Sequence, residues 1–142
     1  MLTDKILVGM RAQGLSVSRQ GEHLKEVEDS LIELGLEEHD QVKVFFEKYK
    51  LGAVLSKQLT ELMDLCSPTR QIFRTTEFAR DIYELPDGYI CLTSGEGEGF
   101  ILYSLLDRKV YDLSVTQFKD LADGKCEATW NSFFELIEWY LE

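Results

Sequence analysis

The chain has 142 residues, 44% of them hydrophobic and 29% charged, with eight Phe, six Tyr, two Trp and a formal net charge of -11. That length fits one domain, residues 1–142, which buries roughly 70% of the surface its unfolded chain exposes, and the composition is globular rather than disordered. The negative charge argues against direct DNA or RNA binding, whose affinity comes largely from Lys and Arg displacing counterions from phosphates, and it favours encounter with a basic protein.

In chain order, Thr3 is placed to cap a short helix through Met10 or Ala12 that Gly14 ends, although KILV at residues 5–8 reads equally as a strand. Over residues 22–34 the apolar positions Leu24, Val27, Leu31 and Leu34 recur three and four apart, and Gly35 sits where a helix C-terminal glycine is expected. Asp40 offers an N-cap to QVKVFFEKYK, whose Val42, Phe45, Phe46 and Tyr49 share a face, and Gly52 closes the segment. Ser56 is expected to cap another helix, KQLTELMDL, with Leu59, Leu62, Met63 and Leu65 inward and Ser67-Pro68 breaking it. QIFRTTEFARDIYEL is ambiguous: a strand over residues 71–75, then an irregular or helical stretch.

Pro86-Asp87-Gly88 is a strong turn signal, and the β-branched and aromatic segments 89–93, 100–106 and 109–114 follow it with short connections. They predict a three-stranded antiparallel meander. VTQFKDLAD, stopped by Gly124, and ATWNSFFELIEWYLE are expected to be helical, the latter placing Trp130, Phe133, Phe134, Ile137, Tyr140 and Leu141 on one face with Trp139 at its flank. Helices grouped before and after antiparallel strands imply an α+β fold, with the meander flanked by N-terminal and C-terminal helices.

The chemistry-bearing residues do not assemble into a known catalytic pattern. Cys66, Cys91 and Cys126 are odd in number and widely spaced, which supports neither a disulfide framework nor a zinc site and makes reduced thiols the expectation. A single Lys before a five-residue apolar run at the N-terminus does not make a signal peptide, and no segment has the length of a membrane span, so a cytoplasmic location is expected. His23 and His39 each lie beside acids, without a partnered nucleophile. The glycine-rich stretch Gly95-Glu96-Gly97-Glu98-Gly99 precedes a strand instead of opening a helix, contains no Lys and puts carboxylates where phosphate oxygens would sit; it reads as a hairpin connection rather than a nucleotide cradle. Asp87, Glu96, Glu98, Asp107 and Asp112 are acids of the strand region, but the EF-hand pattern is absent.

Charge distribution says more. Glu22, Glu26, Glu28, Asp29, Glu33, Glu37, Glu38 and Asp40 face only Lys25 within residues 22–40, and residues 81–107 hold Asp81, Glu84, Asp87, Glu96, Glu98 and Asp107 with no base. Residues 41–80 are richer in bases, which predicts a dipolar surface, and loop carboxylates on a sheet suit recognition of a basic surface.

The order ELPDGYICLTSGEGEGFILYSLLDRKVYDLS, a spacer, and SFFELIEWYLE resembles the SUKH superfamily of immunity-type proteins. The matching parts are the strand leaving a proline turn (85–93), the glycine-acid loop (94–99), the strand 100–106, the turn Asp107-Arg108, the "V-Y" strand 109–114 and the terminal helix 132–141, about the C-terminal two-fifths of the chain. In the N-terminal half, HDQVKVFFEKYKLGAVL keeps the family's aromatic helix and one glycine but lacks its proline and asparagine. The resemblance implies a twisted antiparallel sheet flanked by helices and a non-enzymatic role, without cofactor or metal: binding and neutralising a protein toxin of the contact-dependent or polymorphic kind, often a nuclease with a basic surface. The residues expected to meet such a partner are Asp87, Glu96, Glu98 and Asp107, helped by Tyr89, Tyr103 and Tyr111. A regulatory or scaffolding module for an endogenous basic protein, and a small hydrolase or metal-dependent enzyme using the strand-region acids, are the alternatives the residues leave open.

Overall fold

The computed structural model describes residues 1–19, 24–65 and 70–142. Among them are six α-helices and one three-stranded sheet, in the order α1 (Asp4–Ala12), α2 (Leu24–Glu33), α3 (Gln41–Lys48), α4 (Gln71–Tyr83), β1 (Tyr89–Cys91), β2 (Gly99–Ser104), β3 (Val110–Ser114), α5 (Phe118–Ala122) and α6 (Phe133–Tyr140). This is the α+β architecture with a central antiparallel meander that the sequence predicts, β1 pairing with β2 and β2 with β3.

Capping residues set several boundaries. Thr3 Oγ1 accepts the Ile6 amide and starts α1, so residues 5–8 are helical, not a strand. Asp40 accepts the Val42 amide at 2.9 Å and opens α3. Val27, Leu31, Val42, Phe45, Phe46 and Tyr49 are all buried, while Leu24 at the start of α2 is exposed.

Each sheet face meets different elements. Tyr103 on β2 stacks against Phe133 of α6 with ring centroids 6.1 Å apart, whereas Phe100 of the same strand, on the opposite face, meets Tyr83 of α4 and Phe118 of α5. With both faces covered, FILYS of β2 is wholly buried, which accounts for its unbroken apolar run. The outer edge of β1 is closed by α4 side chains: the Cys91 amide donates to Thr76 Oγ1 at 2.9 Å, and Arg80 donates to the Tyr89 carbonyl at 3.3 Å.

Three expectations are corrected. Residues 57–65 form no helix, because the groups a helix would bond internally are drawn outward. The Leu62 amide donates to the Tyr140 hydroxyl, the Met63 amide to the Leu92 carbonyl, and Ser56 Oγ to the Tyr140 carbonyl. Leu62, Met63 and Leu65 are buried as expected, but Leu59 is fully exposed; Ser67-Pro68 lies outside the described residues. Residues 71–75 are helical, since Ile72, Thr76 and Ala79 are the buried face of α4 and their packing overrides the strand preference of Ile72, Phe73 and Thr75. The C-terminal helix begins only after Ser132, whose side chain accepts the Glu135 amide, while Trp130 stays extended and bridges to Val110 at the edge of β3.

Two buried polar residues tie the layers together. The Tyr103 hydroxyl donates to Asp40 Oδ2 at 2.7 Å, joining β2 to the cap of α3. Burial, then the adjacent Asp40 carboxylate, push the Tyr103 phenol well above its ordinary value. Because its folded pKa is raised, its contribution to stability is fully present below about pH 10 and is lost as pH rises towards the folded value. Tyr103→Phe is therefore expected to cost about 1.5–3 kcal/mol at neutral pH, by depriving a buried carboxylate of a donor, and to flatten the alkaline limb of a stability curve measured by urea denaturation.

Candidate partner-binding surface

The meander sorts the predicted contact residues into two groups. The turn at residues 86–88 and the β2–β3 turn meet at one end, where the Leu105 amide donates to the Gly88 carbonyl. The β1–β2 connection lies at the other, about 17 Å away along β2 at the usual rise per strand residue.

At the first end, Asp87 is exposed, whereas Tyr89 and Tyr111, 8% and 7% exposed, belong to the core, where they pack edge to face at 6.0 Å across the intervening strand, and so leave the predicted contact set. Asp107 accepts bonds from the Tyr111 hydroxyl and from the Lys109 amide at 3.0 Å. Partial burial pushes the Asp107 carboxyl upward, but the bonds from Tyr111, Lys109 and Ser104, aided by the Lys109 charge, outweigh it and hold the group below its ordinary value. Burial and the bond to Asp107 push the Tyr111 phenol up in turn. Arg108, in the left-handed region at φ 61°, pairs with Glu37 at 2.5 Å. Asp107 is thus committed internally and flanked by cations that begin just past the base-free window 81–107. Tyr103, only 1% exposed and bonded to Asp40, lies in the core and is removed from the contact set.

The second end is different. Gly95, Gly97 and Glu98 all take positive φ, at 85°, 69° and 59°, so the connection is a short turn at Glu96–Glu98 that is entered from left-handed Gly95 and itself contains two left-handed residues before extended Gly99. Gly95 is fixed by space as well as angle, because a Cβ there would lie 2.4 Å from Phe100 Cζ. Gly95→Ala is expected to destabilise the fold by about 2–4 kcal/mol, combining left-handed strain with overpacking, readable as a lowered thermal midpoint. Glu98 has no such steric reason. A glutamate there costs about 1–2 kcal/mol relative to an unstrained backbone.

Glu96 and Glu98 are exposed, and neither has an ion-pair partner among the described residues. Glu96 borders an open cleft of about 360 Å³ between the connection and residues 59–61, where Glu61 and Asp112 add carboxylates, Thr60, Thr93 and Ser94 add hydroxyls, and no Lys or Arg intrudes. Fully exposed Leu59 stands at its rim. Sequence reasoning missed Leu59 and Glu61, because the segment that carries them was expected to be a helix with Leu59 inward.

The remaining candidates stay dispersed. His39 is exposed, and His23 and Cys66 lie outside the described residues. Burial pushes the Cys91 thiol up to about 12, against the opposing influence of Thr76 and Arg80, which makes it a poor nucleophile. Among the described residues no three His, Cys, Asp or Glu side chains converge as a metal site requires, and no helix is long and apolar enough to cross a membrane. Arg70 of the basic run pairs with Glu33 of the acidic one, and Arg108 from outside both pairs with Glu37, so the expected dipole is reduced. No family model, curated protein or solved structure matches the chain.

Proposed function

We propose that this chain is a cytoplasmic immunity-type protein that neutralises a cognate protein toxin by stoichiometric binding, with the β1–β2 connection and its cleft as the principal contact and exposed Asp87 at the opposite end of the meander as a flanking one. The observation that carries it is the Gly95–Gly99 connection. Its two carboxylates are exposed and unpaired among the described residues, one of them on a backbone conformation that a glycine would adopt at lower cost. Retaining a charged residue at a strained position is what a recognition role would require. The net charge of -11 and the resemblance to SUKH proteins support the same reading.

The chemistry defines the counterpart. A lysine or arginine entering the cleft would lay its aliphatic stem on Leu59 and bring its charged head to Glu61, Glu96 and Asp112. Basic surfaces of nucleases present such side chains, and occupying them blocks the phosphate backbone from the same surface.

Glu98→Gly separates stability from function. It is expected to leave folding unchanged or to stabilise by about 1 kcal/mol through relief of left-handed strain, while weakening toxin binding measured by titration calorimetry. Weaker folding together with undiminished binding would contradict the assignment.

A further inference from the structure

The outward face of α4 carries a second feature, independent of the acidic connection. Phe78 and Ile82, one helical turn apart, are 48% and 61% exposed, although the opposite side of the helix is buried through Ile72, Thr76 and Ala79. At 100° per residue, Arg74, Glu77, Phe78, Asp81 and Ile82 fall within one stripe of about 140°. Arg74, Glu77 and Asp81 are exposed and make no ion pair among the described residues. Along the stripe Arg74 and Glu77 precede Phe78 and Asp81 and Ile82 follow it, with Glu77 at the margin, about 100° round the helix from Phe78.

A stripe with a base about one turn before Phe78 and an acid about one turn after it is complementary to itself when reversed about Phe78. We infer that α4 is a self-association surface, on which a second copy of this chain packs its own α4 antiparallel about a two-fold axis near Phe78. In that register Phe78 meets its counterpart, and Arg74 of each copy opposes residue 82 of the other, within about one 1.5 Å helical rise of Asp81. Two Arg74–Asp81 pairs thus flank an apolar centre of two Phe78 and two Ile82 side chains. This isologous arrangement uses each side chain twice. The contact is one helix wide, below the size of an obligate dimer interface, so the association is weak and concentration-dependent. The stripe's own charges nearly balance, and at physiological ionic strength the mutual repulsion of two acidic chains is screened beyond about 8 Å.

The test is sedimentation equilibrium of the full chain at physiological salt, up to roughly 1 mM protein. The native chain is expected to show a monomer–dimer equilibrium. Phe78→Glu is expected to abolish it, Arg74→Asp and Asp81→Arg each to weaken it about tenfold, and the Arg74→Asp/Asp81→Arg double variant to restore it, because both members of the pair are exchanged together. The three substitutions lie on an exposed helix face, and the helical content of all four variants is checked by circular dichroism. A native chain that stays monomeric, a dimer that survives Phe78→Glu, or a double variant no better than the single ones would overturn the inference.

Discussion

Arg19→Met is expected to be among the most destabilising single substitutions in the chain, costing about 3–5 kcal/mol and lowering the denaturant midpoint without a comparable change in its slope. Arg19 is 1% exposed and stands where α3 ends. Its Nε donates to the Phe46 carbonyl at 2.7 Å and its Nη2 to the Tyr49 carbonyl at 3.1 Å, so the guanidinium satisfies acceptors left open at the helix C-terminus and places a positive charge at the negative end of the dipole. Asp64 lies 4.0 Å away and accepts the Leu51 and Leu65 amides. Methionine fills much of the volume but supplies no donors. The two carbonyls then carry most of the loss, at about 1–3 kcal/mol each for a buried unsatisfied group. The ion pair is the smaller part, since Asp64 keeps its backbone donors. Arg19→Lys is expected to recover only part of the loss, because an ammonium cannot reproduce the fork that reaches both carbonyls. Equal stability of Arg19→Met and the native chain in urea titration would show that these bonds contribute nothing net.

The second large effect is on binding. Reversing both charges of the connection, Glu96→Lys with Glu98→Lys, is expected to weaken the toxin complex at least about 100-fold, or ~2.7 kcal/mol, through a slower association rate and a reduced salt dependence. Neutralising a single carboxylate at either end is the like-for-like comparison: Asp107→Asn is expected to weaken binding less than Glu96→Gln, because the Asp107 carboxylate is engaged by Tyr111 and Lys109. Its effect falls on acid stability. A carboxyl held below its ordinary value stabilises the fold above the unfolded pKa and loses that contribution as pH falls through the folded one, so Asp107→Asn is expected to flatten the acid limb. If the two substitutions weakened the complex equally, the contact would not be centred on the β1–β2 connection.

What the sequence made legible is what depends on neighbours in the chain. The turn at Pro86-Asp87-Gly88, the three strands, the caps at Thr3 and Asp40 and the glycine connection are all determined by residues within a few positions of one another. What it hid depends on distant partners. Residues 57–65 carry helical spacing, yet Tyr140 and Leu92, far along the chain, take their backbone bonds and turn Leu59 outward. α4 carries strand-forming residues at its start, and only the burial of Ile72, Thr76 and Ala79 beside β1 makes it a helix. Tyr103 sits in the unbroken apolar run of β2 and carries a hydroxyl suited to contact, but the partner that takes that hydroxyl, Asp40, is 63 residues away. Arg19 announces nothing in sequence, because a buried arginine is recognisable only by the carbonyls it reaches. The acidic window 81–107 was real, but it stopped one residue short of Arg108, so the two ends of the meander seemed equally acidic until their neighbours were placed.

The most direct test of the central claim is co-purification of this chain with the product of an adjacent toxin gene, followed by the survival of cells expressing both. A stoichiometric complex that protects the cells is expected, with both complex and protection lost in Glu96→Lys/Glu98→Lys. Failure of the native chain to form that complex or to protect, or a double variant that protects as well as the native chain, would contradict it.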